Sequence, residues 1–381
     1  MYGIVDYGAM LTDRARLDAY AAALREVIRP GMVVLDVGTG PGVMALDAAR
    51  LGARVWAVDL DDSVGLGREL AARNGLGERV TFHHGPVESL DLPAPADIVV
   101  SDLRGVVPVA TGHLDAIIDV RRRLLAPNGR LIPALDRLHV APVHVPKTWQ
   151  GLAGPWSTGV LDLDLASVHH LAINNLTKVR LDADALLAPS RVWSELDYHR
   201  VDAIDVAGET AFEDVHGTVH GWLLFFDTEL VPGIGFSSGP GGGTEIYGQI
   251  FLPLPEPLEV ERDHRLEVAL RADRVGDEYV WTWKTRHRGA GADRSFDQST
   301  FYGRPLVASG LERRRGSFQP RCSVEGEIER FVLDRFDGHA TVDAIATALR
   351  DAFPDRIPDH RTALTRVGDV SRRFGDGSSD S

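Results

Sequence analysis

The segment Val33-Val34-Leu35-Asp36-Val37-Gly38-Thr39-Gly40-Pro41-Gly42 constrains this chain more than any other: an apolar run ends in an acid and opens into three glycines spaced two apart. It reads as the first strand of a parallel sheet and the tight turn into a helix, where missing Cβ atoms let backbone N–H groups approach a ligand closely. A nucleotide-like cofactor is expected there. Dinucleotide sites use G-x-G-x-x-G, because a pyrophosphate lies across the helix N-terminus. Here the loop is G-x-G-x-G, and Asp36 in front of it would repel phosphate. A sulfonium amino acid with a free ammonium group suits that carboxylate better. The next strand, Arg54-Val55-Trp56-Ala57-Val58, ends at Asp59, placed to accept hydrogen bonds from two ribose hydroxyls.

Together these features resemble the first two motifs of the class I S-adenosylmethionine (SAM) methyltransferases. The resemblance implies SAM as cofactor, with Asp36, Gly38, Gly40, Gly42 and Asp59 around it. A glycine turn in an ordinary α/β domain and a nicotinamide enzyme stay open as other readings of the loop.

With 381 residues and 44% hydrophobic content, the chain is long enough for two or three domains with proper cores. Its net charge of −14 argues against nucleic-acid binding, which needs clustered Lys and Arg. Only Arg121-Arg122-Arg123 and Arg313-Arg314-Arg315 form short basic runs, and these read as solvated faces. The single cysteine, Cys322, excludes an intrachain disulfide and a cysteine-rich metal site. No signal peptide or membrane-length apolar run is read, so a cytoplasmic protein is expected.

Ahead of the glycine motif, Met10, Asp13, Arg16 and Tyr20 recur at three- and four-residue spacings, so one helical face carries both apolar and polar groups. This pattern resembles the N-terminal helix of the protein arginine methyltransferases, which folds over bound SAM. On that resemblance Arg16 holds the SAM carboxylate, and Tyr2 and Tyr7 help to close the site. The plainer reading makes Arg16 a surface residue of an amphipathic helix.

Residues 31–133 alternate strands (near 32–37, 54–59, 79–84, 96–101 and 130–133) with helices (near 43–51, 62–74 and 113–125), the pattern of an α/β doubly wound parallel sheet. Ligands in such sheets lie beyond the carboxyl ends of the strands. Gly85 to Pro93 resembles the family's adenine loop, in which a backbone amide (here Val87) and an acid (here Glu88) meet the base. His83 and His84 read as structural.

Ser101-Asp102-Leu103-Arg104-Gly105 follows the fourth strand. In arginine methyltransferases a hairpin begins here whose two glutamates clamp the substrate guanidinium. Aligning the serine and glycine puts Asp102 on the first glutamate and Thr111 on the second, so one acid is shortened and the other lost. A guanidinium stays protonated at physiological pH, and localising its charge away from one nitrogen suits two carboxylates in bidentate contact. Asp102 alone could orient a guanidinium or an amine, or accept a proton from a hydroxyl. The acceptor therefore stays open.

Residues 134–310 turn to alternating and aromatic runs, including Val219–Phe226, Gly248–Leu254, Arg265–Ala272 and Tyr279–Thr285, which suggest a β-barrel or sandwich. The resemblance implies a barrel that binds acceptor and supports a dimer. The family's threonine–histidine–tryptophan loop is here Glu245-Ile246-Tyr247, so Ile246 replaces the histidine, while Glu245 could restore a carboxylate as a second catalytic candidate. Residues 311–374 read as a helical C-terminal domain. Its helix, Asp337-Gly338 turn and helix resemble the winged-helix peptide-recognition domains (PqqD-like), and a plain helical bundle is the other reading. Residues 375–381 read as a disordered tail.

The resulting expectation is a SAM-dependent methyltransferase acting on arginine or another amine of a protein, peptide or metabolite. A small-molecule O- or N-methyltransferase of natural-product metabolism and a non-catalytic SAM-binding partner protein are the alternatives. A homodimer through residues 147–200, a peptide partner for the C-terminal helices, and no metal, nucleic acid or membrane complete the expectation.

Overall fold

The computed structural model describes residues 3–157, 160–213, 215–244, 246–289 and 293–375. Tyr2, Glu245 and the tail beyond Gly375 lie outside the described residues. The chain divides into two compact units, Met1–Pro305 and Leu306–Ser381.

The first unit opens with α1 (Ile4–Thr12) and α2 (Arg14–Val27). The single helical face expected from the spacing of Met10, Asp13, Arg16 and Tyr20 is broken at Asp13. This residue leaves helical geometry and caps α2, its carboxylate accepting the Arg16 N–H at 3.3 Å. A short acid is suited to that position because it satisfies one of the orphan N–H groups of the first turn.

A parallel sheet follows: β1 (Val33–Val37), β2 (Arg54–Asp59), β3 (Val80–His84), β4 (Ala96–Ser101) and β5 (Leu125–Ile132). Its order is β3-β2-β1-β4-β5, with α3 (Val43–Arg50), α4 (Val64–Arg73) and α5 (His113–Arg123) in the connections. β1 is buried along its whole length, which explains its unbroken apolar run: a parallel strand covered on both faces has no polar alternation. The chain leaves β1 to one side for β2 and reaches β4 on the other. That reversal of direction opens a crevice at the carboxyl ends of β1 and β4.

The remainder of this unit is built on antiparallel ladders. β6 (Leu135–Val143), α6 (Pro146–Ser157), α7 (His169–Ile173), β7 (Thr177–Val179) and β8 (Arg191–Asp197) come first. Next are β9 (Val206–Phe212), β10 (Gly217–Val231), β11 (Ile234–Ser237), β12 (Gln249–Val260), β13 (Arg265–Val275), β14 (Glu278–Arg288) and β15 (Arg294–Ser299). One sheet runs β7-β12-β10-β6-β8 with β11 on β10, and the other runs β15-β14-β13-β9. Alternate residues of β13 and β14 are buried, including Leu266, Val268, Leu270, Trp281 and Trp283, and they pack with Trp222 and Phe226 of β10. The same core continues into Leu35, Val99 and Leu131 of the parallel sheet. The indole N–H of Trp222 crosses between the antiparallel sheets to the Thr285 hydroxyl at 2.9 Å, both residues being fully buried.

The second unit holds α8 (Ala308–Glu312), α9 (Val324–Leu333), α10 (Val342–Ala352) and α11 (His360–Phe374). Ser323, Thr341 and Asp359 cap the last three, each side chain accepting a backbone N–H of the first turn. Ile328, Val332, Ile345, Leu349, Ala363 and Val367 close a small core of their own. Among the described residues of this unit the regular elements are all helices, with no strand.

Thr285→Val should leave the Trp222 N–H buried without an acceptor and cost about 1–3 kcal/mol of stability. Urea denaturation of the two proteins measures this, and an unchanged midpoint would mean the crosslink contributes nothing.

Candidate functional site

A cleft with three adjoining lobes, all lined by Gly38 and Asp102, occupies the carboxyl edge of the parallel sheet. The narrow lobe, about 90 Å³, is bordered by Tyr7, Met10, Arg16, Tyr20, Asp36, Thr39 and Gly40. A second, about 380 Å³, runs along Val58, Asp59, Gly85 to Glu88 and His113. The outer lobe, about 450 Å³, is bordered by Leu60, Leu103, Val106, Lys178, Ile246 and Tyr247. Sequence-expected residues from four separate stretches thus meet in one place.

The turn after β1 needs its glycines. Gly38 and Gly40 have φ of 74° and 54°, which other residues rarely adopt. A Cβ on Gly38 would lie 2.2 Å from the Leu103 side chain, and one on Gly40 would lie 2.7 Å from the Tyr7 ring. Gly42 starts α3, where a Cβ would lie 2.9 Å from the Phe82 ring, and of the three glycines Gly38 and Gly40 are the two that border the narrow and outer lobes.

Asp36 is buried, its Oδ2 accepting from the Thr39 hydroxyl at 2.6 Å and the Ala45 N–H at 3.1 Å. Burial pushes its carboxyl up to about 7, against the lowering effect of those two hydrogen bonds. Asp59 ends β2 and ties the glycine turn to it: Oδ2 accepts the Gly40 N–H at 2.7 Å and Oδ1 the Asp61 N–H at 2.9 Å. Val87 is buried in a short 3₁₀ turn, its carbonyl held by Arg123 at 2.9 Å, and Glu88 stands exposed at the rim.

Arg16 is buried at the narrow lobe, which removes the surface reading. One of its terminal nitrogens pairs with Asp102 Oδ2 at 3.2 Å, and its Nε has no hydrogen-bond partner among the described residues. Asp102 also accepts from Arg104, whose Nη2 lies 3.0 Å from Oδ1, and the Tyr247 hydroxyl lies 2.8 Å from each carboxylate oxygen. Burial by itself would raise the Asp102 carboxyl, but Arg104, Arg16 and the Tyr247 hydroxyl overrule it and hold the group below the usual carboxylate range. A carboxylate held by several bound donors is a weak base, and this geometry suits Asp102 to orienting more than to accepting a proton. Glu245, the other catalytic candidate, lies outside the described residues.

Thr111 donates to the Leu103 carbonyl at 2.7 Å, so where a second acid was expected to be missing the hydroxyl instead closes the loop. The Ile246 N–H donates to Asp13 at 3.2 Å, anchoring the loop before β12 on the cap of α2.

Three residues of the site went unread in the sequence. Tyr247 sat beside the replaced histidine without attracting a role. Arg104 lay inside the quoted loop, but its buried state depends on Asp136, 32 positions away. His113 opens α5, fully buried, with neither ring nitrogen hydrogen-bonded among the described residues. Burial and the nearby Arg104 charge lower it to about 3, so it is a neutral imidazole on the cleft wall. Among the described residues no group of three or more His, Cys, Asp or Glu side chains is arranged to hold a metal.

Residues 34–129 match a family model described as a methyltransferase domain. The chain is 28% identical to the probable protein arginine N-methyltransferase 6 of Arabidopsis thaliana over 58% of its length and 53% of that protein. It is 30% identical to the probable histone-arginine methyltransferase CARM1 of Oryza sativa subsp. indica, over 66% of this chain and 51% of that protein. The chain thus spans about half the length of these curated relatives. Its fold is that of a Trypanosoma brucei PRMT1 enzyme–prozyme complex solved with AdoHcy: TM-score 0.73 at 23% identity, covering 78% of this chain and 98% of that one. Arabidopsis thaliana protein arginine methyltransferase 10 gives a TM-score of 0.69 at 23% identity, with 78% and 97% covered.

A raised acid gives a signed pH dependence. Between about pH 4 and about pH 7 the folded chain keeps a proton on Asp36 that the unfolded chain has released, so this residue's contribution to stability falls as pH rises through that window. Relative to Asp36→Asn, the wild type should lose up to about 1.4 kcal/mol per pH unit there. Urea midpoints of both proteins from pH 5 to pH 8 measure the difference, and parallel curves would refute the shifted carboxyl.

Proposed function

We propose that the chain is a SAM-dependent methyltransferase of arginine-methyltransferase-like architecture, passing a methyl group to a nitrogen of a protein, peptide or metabolite. The observation that carries this reading is the narrow lobe, where a buried cation with an orphaned donor, Arg16 Nε, stands near a buried acid of raised affinity for protons, Asp36. An α-amino acid group answers both at once: its carboxylate satisfies Arg16 and its ammonium restores the charge on Asp36. Few other ligand ends do so.

The residues fit the rest of SAM in the order the cleft presents them. Asp59 keeps lone pairs for ribose hydroxyls beyond the backbone donors it already holds. The Val87 backbone and Glu88 border the nucleoside lobe, and the His113 ring, whose nitrogens have no hydrogen-bond partner among the described residues, supplies a donor and an acceptor on its wall. SAM supplies, when bound, a methyl group activated on a sulfonium. The chain itself supplies alignment and exclusion of water, with Tyr7 and Met10 of α1 over the turn and Leu103, Ile246 and Tyr247 bordering the outer lobe. In-line transfer to an acceptor held in that lobe obtains most of its rate from such positioning.

The two antiparallel sheets serve in this reading as the barrel-like acceptor domain, whose loop before β12 completes the cleft. Residues 147–200 carry exposed Trp156, Leu161 and Leu163, and α4 exposes Leu66 and Leu70; these apolar surfaces support a homodimer. The helical unit remains the candidate holder of a peptide partner. A cytoplasmic location belongs to the same reading; among the described residues no helix is long and apolar enough to cross a membrane.

Calorimetric titration with S-adenosylhomocysteine tests the proposal. Binding should be present at pH 8 and weaken below pH 7 by about tenfold per unit, because the ammonium must displace the Asp36 proton. Asp36→Asn should remove that dependence. Gly40→Val should abolish binding through its backbone strain and overlap with Tyr7. No binding by the wild type at any of these pH values would overturn the reading. Leu161→Glu with Leu163→Glu should convert a dimer to monomer in sedimentation, and a wild-type monomer would remove the homodimer.

A further inference from the structure

Arg104 is the largest charged side chain that the proposed reaction leaves unused. It is fully buried, and every one of its nitrogens is engaged. Nε and Nη2 donate to Asp102, Nη1 to Asp136 at 3.1 Å and to the Thr228 hydroxyl at 2.7 Å, and Nη2 also to the hydroxyls of Tyr20 at 2.7 Å and Tyr247 at 3.2 Å. The rings of Tyr20, Phe226, Phe236 and Tyr247 surround its Cζ at 5.1 to 5.9 Å. Asp136 is itself fully buried and takes a further hydrogen bond from the Tyr198 hydroxyl at 2.6 Å. This is a carboxylate-lined aromatic cage built for a guanidinium, and the chain fills it with its own.

We infer that Arg104 occupies the guanidinium subsite from within and so turns the acceptor lobe away from arginine, toward an acceptor nitrogen that is uncharged at neutral pH. The inference rests on the methyltransferase reading for its consequence, whereas the occupancy is a matter of geometry alone. Asp102 is the acid that a substrate guanidinium would address from the outer lobe, and it already carries Arg104, Arg16 and the Tyr247 hydroxyl. Asp102 borders the outer lobe itself, and a cation arriving there finds both its oxygens already held by the two arginines and the Tyr247 hydroxyl behind it. Displacing Arg104 is no remedy, since it would leave the buried Asp136 carboxylate without its counter-charge. A tethered group also holds an effective concentration in the millimolar range or above. The outer lobe is bordered by Lys178, by Met10, Leu103, Val106 and Ile246 as apolar wall, and by Asp59 and Asp61 where β2 ends.

An uncharged nitrogen avoids both difficulties. Its lone pair forms the new N–C bond while the S–C pair returns to sulfur, and the cationic product then loses its proton to water. No strong base is required of Asp102, which its bound donors have made a weak one.

The test uses the full chain and ethylguanidinium as probe, with and without S-adenosylhomocysteine. Arg104→Met with Asp136→Ala removes the cation and its buried counter-charge together, and its thermal transition establishes that it folds. The double variant should bind ethylguanidinium at least tenfold more tightly than the wild type, and adding Asp102→Asn should abolish the gain. Equal binding by wild type and double variant, or no binding by either, would overturn the occupancy. Loss of S-adenosylhomocysteine binding by the wild type would instead sink the methyltransferase reading and leave the guanidinium comparison standing.

Discussion

The structure around the cleft depends on one buried guanidinium. Arg104 leaves the end of β4, reaches Asp136 on β6 and Thr228 on β10, and meets Tyr20 from α2 and Tyr247 from the loop before β12. Four elements from distant parts of the chain converge on a single charge. A charged group at this depth is tolerated only when each of its donors is matched, and here they are. The network therefore sets the distance between the parallel sheet and the antiparallel sheets, and with it the width of the outer lobe. It also fixes Asp102, because a carboxylate held by Arg104, Arg16 and Tyr247 has no freedom to rotate toward a ligand.

Electrostatics divide the cleft into two ends of different character. At the narrow end Asp36 is undersupplied with positive charge and Arg16 keeps an orphaned donor. At the outer end Asp102 is saturated. Binding energy is thus available where an amino-acid cofactor would sit and is withheld where a cationic acceptor would sit. Such asymmetry suits an enzyme that keeps its cofactor while its acceptor chemistry diverges.

Much of the fold was legible because its signals are local. The five parallel strands announce themselves as short apolar runs, the helices between them by period, and the glycine turn by its spacing; observed bounds differ by a few residues, most at β5, which begins at Leu125. The kink at Asp13 was less visible, since a capping acid and a helical acid look alike until the backbone turns. The cleft is lined by Arg16 from the first turn of α2 and by Asp36, Gly38, Asp59, Val87 and Glu88 from strand ends and turns, each of which the sequence had singled out by a motif around it. Arg104 and His113 were missed for a shared reason. Their burial is decided by residues far along the chain, Asp136 and Thr228 for the first and Tyr198 for the second. No local pattern records that.

The most direct test of the account is transfer of labelled methyl from SAM by the purified full-length chain in lysate of its own source. Protein, peptide and small-molecule fractions are separated, and the products are hydrolysed. Label in a methylated nitrogen other than that of arginine is the expected result. Recovery of the label as methylarginine would contradict the role given to Arg104, and no label in any fraction, despite bound S-adenosylhomocysteine, would contradict the transferase itself.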